Sequence, residues 1–248
     1  MECSRVARLA LHAEKVRQLL LNCPDIVTIS VGPSQKELTC HKALLGFTSE
    51  FFDAALYGNF KESQTNIIPL PEENPNVVAG FLTWAYTGHI ESSSTAEELW
   101  VFGDRIASPR FMNEAMHLIF AIYGRHERWL SAKGAFVAYN HSAPISKLRS
   151  FVENYVDIHG PLCEEAINSE AFHLGNHEYE RDWQALIEEG GKLTVDIALG
   201  NGVRHQGFAW DEDCVPPRLG FEQWVYMVRV TTRVVEDFIQ GKMRGVRE

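Results

Sequence analysis

The sequence predicts an α+β fold, in which a three-stranded sheet is flanked by helical hairpins and followed by a mainly α-helical C-terminal extension. Three observations carry this prediction. Apolar residues recur at helical spacing in residues 6–20. Apolar and polar residues then alternate in residues 26–31, as they do in a half-buried strand. Several helical patterns with recognisable ends follow, as far as residue 123.

The composition indicates a globular protein with an acidic balance. The chain has 248 residues, of which 45% are hydrophobic and 23% charged, so it is long enough to bury a sizeable core. It has 33 acidic and 23 basic residues, a formal net charge of -10, and the acidic excess is present in both halves. Because nucleic-acid affinity comes largely from basic side chains that neutralise phosphates, we expect no nucleic-acid partner.

The cysteines and the hydropathy pattern favour a reducing compartment and no membrane association. Five cysteines without any Cys-x-x-Cys pair suggest neither a disulfide framework nor a zinc ribbon. Charged residues interrupt the first twenty positions, which excludes the apolar core of a signal peptide. No stretch is apolar over the length that a bilayer requires. We therefore expect an intracellular protein, cytoplasmic or nuclear.

The first predicted element is an amphipathic helix with a single apolar stripe. Charged residues occupy its opposite face. Because such a stripe is stable only when it is covered, we expect it to pack against another surface. The stripe consists of Val6, Leu9, Ala13, Val16 and Leu20.

Two strands joined by a tight turn are predicted next. Residues 26–31 form the first strand, a Gly-Pro-Ser breaker follows, and residues 37–41 form the second. At the corner where this strand turns into a helix, we expect His41 to hydrogen-bond backbone groups and Lys42 to meet Asp25. Such charged pairs often contribute little net stability, so charge retained at this corner points towards recognition.

Capping residues mark the helix ends in the first half of the chain. Ser49 is the predicted N-cap of a short helix over residues 49–56. Asn74 is the predicted N-cap of a longer helix with Pro75 in its first turn, and Gly88 ends that helix. These residues mark the helix boundaries clearly.

A third strand and two further helices complete the first half. Residues 66–70 read as a strand, and Pro69 cannot donate to a sheet ladder, so we expect this strand at an edge. Helical apolar spacing then recurs in residues 95–106 and in residues 109–123. The first half is therefore a small sheet among helix pairs.

The second half has a weaker pattern. Residues 145–155 carry one apolar helical face, whereas residues 170–191 are polar and broken by Gly175. Residues 192–202 fit a strand or a helix equally well, and apolar spacing typical of a helix returns in residues 221–242.

Catalytic and metal-binding interpretations are weaker than structural ones. His41 and Ser49 lie two helical turns apart, and their segment offers no oxyanion arrangement. His173 and His177 have the spacing of two metal ligands, but Gly175 lies between them and Leu174 stands where a metalloprotease needs glutamate. No phosphate-binding loop or nucleophile elbow motif occurs. These patterns therefore favour no cofactor and no metal site.

Five short motifs occur in an order that resembles the BTB/POZ domain family. The resemblance covers roughly residues 12–123, and the helix-rich remainder is similar to the stand-alone BTB proteins of filamentous fungi. It implies a BTB/POZ domain with an N-terminal helix over residues 1–124 and a helical extension over residues 125–248. The motifs are Asp25-Ile26-Val27-Thr28, His41-Lys42-Ala43-Leu44-Leu45, Ser49-x-x-Phe52, Phe60-Lys61-Glu62-Ser63 and Trp84-x-Tyr86-Thr87-Gly88.

The resemblance implies a non-enzymatic protein-interaction module that homodimerises and holds other proteins. From the family residues that match them in position, the resemblance implies that Asp25 and Lys42 form a charged pocket at the dimer groove. It implies in the same way that His41 is a residue on which the fold depends. It also implies that the first helix, with the apolar stripe defined above, packs across the twofold axis. An apolar nucleus containing Val27, Leu44, Phe52 and Phe81 should link the hairpin to the helices around it.

An alternative expectation is a substrate adaptor of a cullin-RING ubiquitin ligase. In adaptors of this family a hydrophobic-x-Glu triplet contacts the cullin scaffold, and Phe60-Lys61-Glu62 matches the triplet in position and type. The same three residues also suit an ordinary solvated turn. The chain has no Kelch repeats, no MATH domain and no C2H2 zinc-finger spacing, which weakens the adaptor interpretation and a further one, a transcription-related scaffold.

Overall fold

The computed structural model describes residues 2–123, 129–159, 177–200 and 235–244. Their contacts group into two compact units. The first unit comprises Met1–Thr95, Phe102–Ala115 and Val228–Glu248, and the second comprises Ala96–Val101 and Met116–Met227. The expected domain boundary after residue 124 does not coincide with this grouping and stays a prediction. Within the described residues, no helix combines the length and the apolar character needed to cross a membrane.

The order of elements is α+β, as the sequence predicts. The strands are β1 (Ile26–Val31), β2 (Lys36–His41) and β3 (Ile67–Leu70). The helices as far as residue 123 are α1 (Glu2–Asn22), α2 (Lys42–Thr48), α3 (Glu50–Tyr57), α4 (Lys61–Thr65), α5 (Pro75–Thr87), α6 (Ala96–Arg105) and α7 (Pro109–Tyr123). The later described helices are α8 (Ala132–His141), α9 (Lys147–His159), α10 (His177–Glu189), α11 (Lys192–Gly200) and α12 (Val235–Arg244).

The sheet has the strand order β2-β1-β3. Strand β1 pairs antiparallel with β2, in a register that sets Ile26 opposite His41, and parallel with β3. The alternation in β1 turns Val27, Ile29 and Val31 into the core. Strand β3, which carries Pro69, lies at an edge of the sheet, so the prediction drawn from this proline is confirmed.

The core of the first unit is built around the ring of Phe81. Its centroid lies 6.0 Å from that of Phe52, 5.1 Å from that of Phe111 and 5.8 Å from that of Trp84. Aromatic side chains at these separations bury large apolar areas and add favourable edge and face contacts. The four residues predicted to share a nucleus, which are Val27, Leu44, Phe52 and Phe81, are all fully buried.

The predicted caps are present. The Ser49 hydroxyl accepts the backbone N–H of Phe52, and the Asn74 side chain accepts the backbone N–H of Asn76 at 2.9 Å. Gly88 ends α5 in the left-handed conformation, with φ 71°. Each of these groups satisfies a helix-end donor or acceptor that would otherwise lack a partner.

In the second unit, aromatic rings and a buried tryptophan join the helices. The rings of Phe120 and Phe151 lie 5.0 Å apart, and the hydroxyl of Tyr123 donates to the buried Glu97 carboxylate at 2.6 Å. The indole N–H of Trp183 donates to the carbonyl of Leu130 at 3.1 Å. Trp183 is fully buried, and this explains why α10 forms in a segment that reads as polar.

Several local expectations are corrected by the structure. Helix α4 occupies a segment that was expected to be a turn. The segment that fitted a strand or a helix equally well forms helix α11. Ile145, expected on the inner face of a helix, precedes α9 and is 91% exposed. The helix expected over residues 221–242 is described only from Val235 onward, and His173 lies outside the described residues.

Candidate protein-interaction site

The corner between β2 and α2 is held by a side chain from α5. The hydroxyl of Tyr86 accepts the backbone N–H of His41 at 3.1 Å and lies 2.8 Å from the imidazole Nδ1 of the same residue. His41 was expected to bond backbone groups, so the partner is corrected to a side chain 45 positions later. A hydroxyl can accept one bond and donate another, and Tyr86 therefore satisfies both groups of His41.

Three contacts hold Lys42 next to this corner, and only the meeting with Asp25 was expected. Its backbone N–H donates to the Asp25 carbonyl at 2.8 Å, and its ammonium group donates to Asn66 Oδ1 at 3.1 Å. The ammonium also lies 5.0 Å from the centre of the Tyr57 ring. Among the described ion pairs, none joins Lys42 to the exposed Asp25 carboxylate. The expected meeting of the two residues is made by their backbones, and their role as a charged pocket stays a prediction.

Buried hydroxyl and thiol groups near the corner are held in their protonated forms. Burial raises the pKa of the Cys40 thiol to about 11 and that of the Tyr86 hydroxyl to about 12. The Ser49 hydroxyl donates to the Ile106 carbonyl at 2.5 Å while it accepts the Phe52 N–H. Ser49 is buried and caps a helix, so its hydroxyl has a structural role.

Phe60 and Glu62 lie at the start of α4. Phe60 stands in the N-cap position with an extended backbone, and its side chain is 57% exposed. Glu62 is half-buried in the first turn, where a carboxylate interacts favourably with the helix dipole. The Ser63 hydroxyl donates to the Phe60 carbonyl at 2.6 Å and fixes the start of the helix. An exposed phenyl ring therefore stands on a backbone that is fixed at the start of α4.

The stripe expected on α1 is only partly buried. Val16 is buried, Leu9 and Leu20 are half-buried, and Val6 and Ala13 are exposed. Part of the stripe therefore packs within the first unit, and part of it faces solvent.

His12 explains why the stripe is only partly buried. Its Nε2–H donates to the Ala85 carbonyl at 2.9 Å, and its ring lies 6.1 Å from that of Trp84. Burial lowers the pKa of His12, although the bond to Ala85 opposes that shift. A hydropathy pattern counts histidine as polar. In the structure, however, His12 lies with Val16 and the fully buried Leu19 on the inner side of the helix. Neither His12 nor Tyr86 was predicted as a member of this site.

Comparison with known proteins agrees with this architecture. A family model for the BTB/POZ domain matches residues 19–119. Human Kelch-like protein 30 is 32% identical over 73 residues, which is 29% of this chain and 13% of that protein. Human Kelch-like protein 11 is 24% identical over 212 residues, which is 79% of this chain and 27% of that protein.

The chain thus spans between 13% and 27% of the length of these relatives. The match of the family model includes the β1–β2 hairpin, the corner at His41 and helices α2 to α5. BTB/POZ domains are non-enzymatic modules that mediate protein–protein interactions. Residues 19–119 therefore form a BTB/POZ domain.

Proposed function

We propose that this chain is a homodimerising interaction module and that α1 contributes the self-association surface. The observation that supports this most directly is the exposed apolar flank of α1, where Val6 is 62% exposed and the exposed Ala13 lies on the same flank two helical turns later. Apolar side chains on one flank of a regular helix suit a symmetric contact, in which the same patch of two copies meets around a twofold axis.

The inner side of α1 gives this flank a fixed base. His12, Val16 and Leu19 pack onto α2 and α5 within the first unit, so the exposed flank is presented by an anchored helix. Presenting the surface on an anchored element lowers the entropy lost on association. A charged replacement at Val16 would disturb the fold itself, and exposed positions are therefore better suited to a test.

Light scattering coupled to size exclusion tests the dimer. We expect the parent chain to show twice the chain mass of 28.1 kDa. Val6→Glu combined with Ala13→Glu should shift the mass towards that of one chain, because two carboxylates would meet their copies across the axis. The control Ala54→Glu combined with Asn59→Glu changes two exposed positions elsewhere and should keep the parent mass. A monomeric parent, or an unchanged mass in the α1 variant, would refute the proposal.

A second proposed function is that of an adaptor which binds a cullin scaffold. It is favoured by the exposed Phe60 ring, with Glu62 two residues later in the first turn of α4. Aromatic side chains at a surface can supply much of the binding energy of an interface. We expect purified cullin to be retained by the parent chain and to be lost with Phe60→Ala combined with Glu62→Lys.

A matched control distinguishes this contact from a general charge effect. Ile145→Ala combined with Glu72→Lys removes one exposed apolar group and reverses one exposed carboxylate at other places. This variant should retain cullin as the parent does. Equal recovery from the parent and the Phe60 variant would remove the adaptor function and would leave the proposed dimer untouched.

We further propose an intracellular location, cytoplasmic or nuclear. Cys40 is buried and Cys23 is half-buried, and both are free thiols. Free thiols are typical of a reducing compartment. Imaging of the tagged full chain in its native cell tests the proposal, and a signal confined to the cell exterior would contradict it.

A further inference from the structure

A cleft of about 220 Å³ lies beside α1, on the side of the helix away from Val6 and Ala13. Helices α1, α2, α5 and α7 all contribute to it within the first unit. Apart from Val16, the residues of α1 that line the cleft lie on a different side of the helix from Val6 and Ala13, so the cleft and the proposed dimer flank are largely separate surfaces.

The floor of the cleft is apolar. Leu19 and Leu44 contribute from fully buried positions, and Phe47 and Trp84 from nearly buried ones. Leu11 stands at the rim with 59% of its side chain exposed. A volume of about 220 Å³ is smaller than the sites that hold drug-sized molecules, and it suits one bulky side chain of a partner.

Basic side chains surround this floor. They are Arg8, Lys15 and Arg110. The guanidinium of Arg110 lies over the Phe47 ring at 5.5 Å, which places a positive charge directly against the apolar lining. Arg8 is 57% exposed and its Nη1 lies 3.5 Å from Glu114 Oε1, a long ion pair that leaves most of its donors facing solvent.

The basic side chains that line the cleft act on one another electrostatically. Burial lowers the pKa of the Lys15 ammonium, the charge of Arg110 lowers it further, and Glu236 acts in the opposite direction. Among the described residues, Glu114 pairs with Arg8, and Glu236 lies close enough to Lys15 to act on its pKa. His12 adds little charge at neutral pH because burial lowers its pKa and its Nε2–H bonds Ala85. An incoming carboxylate would relieve the repulsion between Lys15 and Arg110.

We propose that this cleft binds a short acidic segment of a partner protein, in which a carboxylate lies next to a bulky apolar residue. The apolar side chain would enter the floor beside Trp84, and the carboxylate would accept hydrogen bonds from Lys15 and Arg110. A net charge of -10 repels acidic segments elsewhere on the chain, so a local basic cleft confers selectivity as well as attraction. The same net charge, together with Glu114 and Glu236 at the cleft, disfavours nucleic acid as the occupant.

The proposal goes beyond homodimerisation and does not depend on it. A monomeric protein with a filled cleft and a dimer with an unused one are separate outcomes, which light scattering and peptide binding distinguish. The binding test is therefore run on the parent chain and on the variant Val6→Glu with Ala13→Glu, and both should bind equally well.

The experiment is a selection from a displayed random heptapeptide library on the immobilised full chain. We expect enriched peptides to carry Asp or Glu within two positions of Leu, Phe, Met or Trp. The most enriched peptide, labelled with fluorescein, is then titrated by polarisation. Lys15→Glu and Arg110→Glu should each weaken its affinity by about tenfold, as expected for a lost charge-assisted hydrogen bond. Affinity should also fall as salt rises.

Arg17→Glu is the matched control, since it makes the same charge change on the same helix at an exposed position outside the cleft lining. It should leave affinity within about twofold of the parent. Lys15→Gln, which keeps most of the stem, should still weaken binding, and a circular dichroism melt verifies folding of each variant. The proposal is overturned if no peptide is enriched, if enriched peptides lack acidic residues, or if Lys15→Glu and Arg17→Glu change affinity equally.

Discussion

The imidazole Nδ1 of His41 and the hydroxyl oxygen of Tyr86 lie 2.8 Å apart, and the same hydroxyl also accepts the backbone N–H of His41. The pair joins the end of β2 to the last turn of α5. Their ring centroids lie 5.9 Å apart in an edge-to-face arrangement, so both hydrogen bonding and ring packing stabilise the contact. A residue that stands at a strand-to-helix corner is thereby held from a helix that is distant in sequence.

We expect Tyr86→Phe to lower the free energy of unfolding by about 1 to 3 kcal/mol, because two partly buried groups of His41 lose their partner. Urea unfolding followed by circular dichroism measures the change. His41→Ala and the double variant complete a cycle in which the combined loss should be smaller than the sum of the single losses, since both changes remove the same side-chain bond. Strictly additive losses would show that the contact contributes nothing of its own.

We expect stability to decline in alkaline solution through Cys40 and Tyr86. Their pKa values are raised from the ordinary 9.0 and 10.0 to about 11 and about 12, mainly by burial. The native state therefore holds these protons more tightly than the unfolded chain does. The stability that they contribute is complete below about pH 9 and is lost as the pH rises towards 11 and 12.

Urea unfolding at several pH values under reducing conditions measures this decline. Cys40→Ala should flatten the fall in unfolding free energy between pH 9 and 11, whatever its effect at neutral pH. Tyr86→Phe should act at the upper end of the range. A Cys40→Ala profile parallel to that of the parent would contradict the assignment of this pH window to the buried thiol.

We expect Gly88→Ala to destabilise the first unit by about 1 to 3 kcal/mol. Gly88 has φ +71°, and a Cβ there would lie 3.0 Å from Cγ of the His12 ring, so both backbone strain and crowding against α1 oppose the change. Gly241→Ala is the control, because no atom lies within 4 Å of the added Cβ in helix α12. It should stabilise by about 0.5 to 1 kcal/mol. Thermal melts that rank the two variants in the opposite order would contradict the assigned role of Gly88.

We expect Phe238→Ala to destabilise the first unit by about 2 kcal/mol, less than for a fully buried phenylalanine because this residue is half-buried. Its ring makes edge contacts with Phe47 at 5.6 Å and with Tyr57 at 6.0 Å. Gln240→Ala, at an exposed position of the same helix, should change the unfolding free energy by less than about 0.5 kcal/mol. Equal effects of the two variants in urea unfolding would show that α12 contributes little to the unit.

Much of the fold could be predicted because its signals are local. The alternation in β1, the Ser49 and Asn74 caps and the αL glycine at residue 88 each depend on residues within a few positions of one another. Polar segments were harder to interpret. Helix α10 is stabilised by one fully buried side chain, Trp183, which a count of polar residues hides. Helix α4 is too short for periodicity to reveal it.

By itself, the sequence determined the α+β class, the hairpin, the edge strand with Pro69 and the motifs of a BTB/POZ domain. Only the tertiary structure decided that His41 meets Tyr86, that Lys42 donates to Asn66, and which side of α1 turns inward around His12. The physical reason is that backbone periodicity and capping are local properties of the chain. Hydrogen-bond partners and buried faces depend on which distant elements pack together, and no local pattern records that choice.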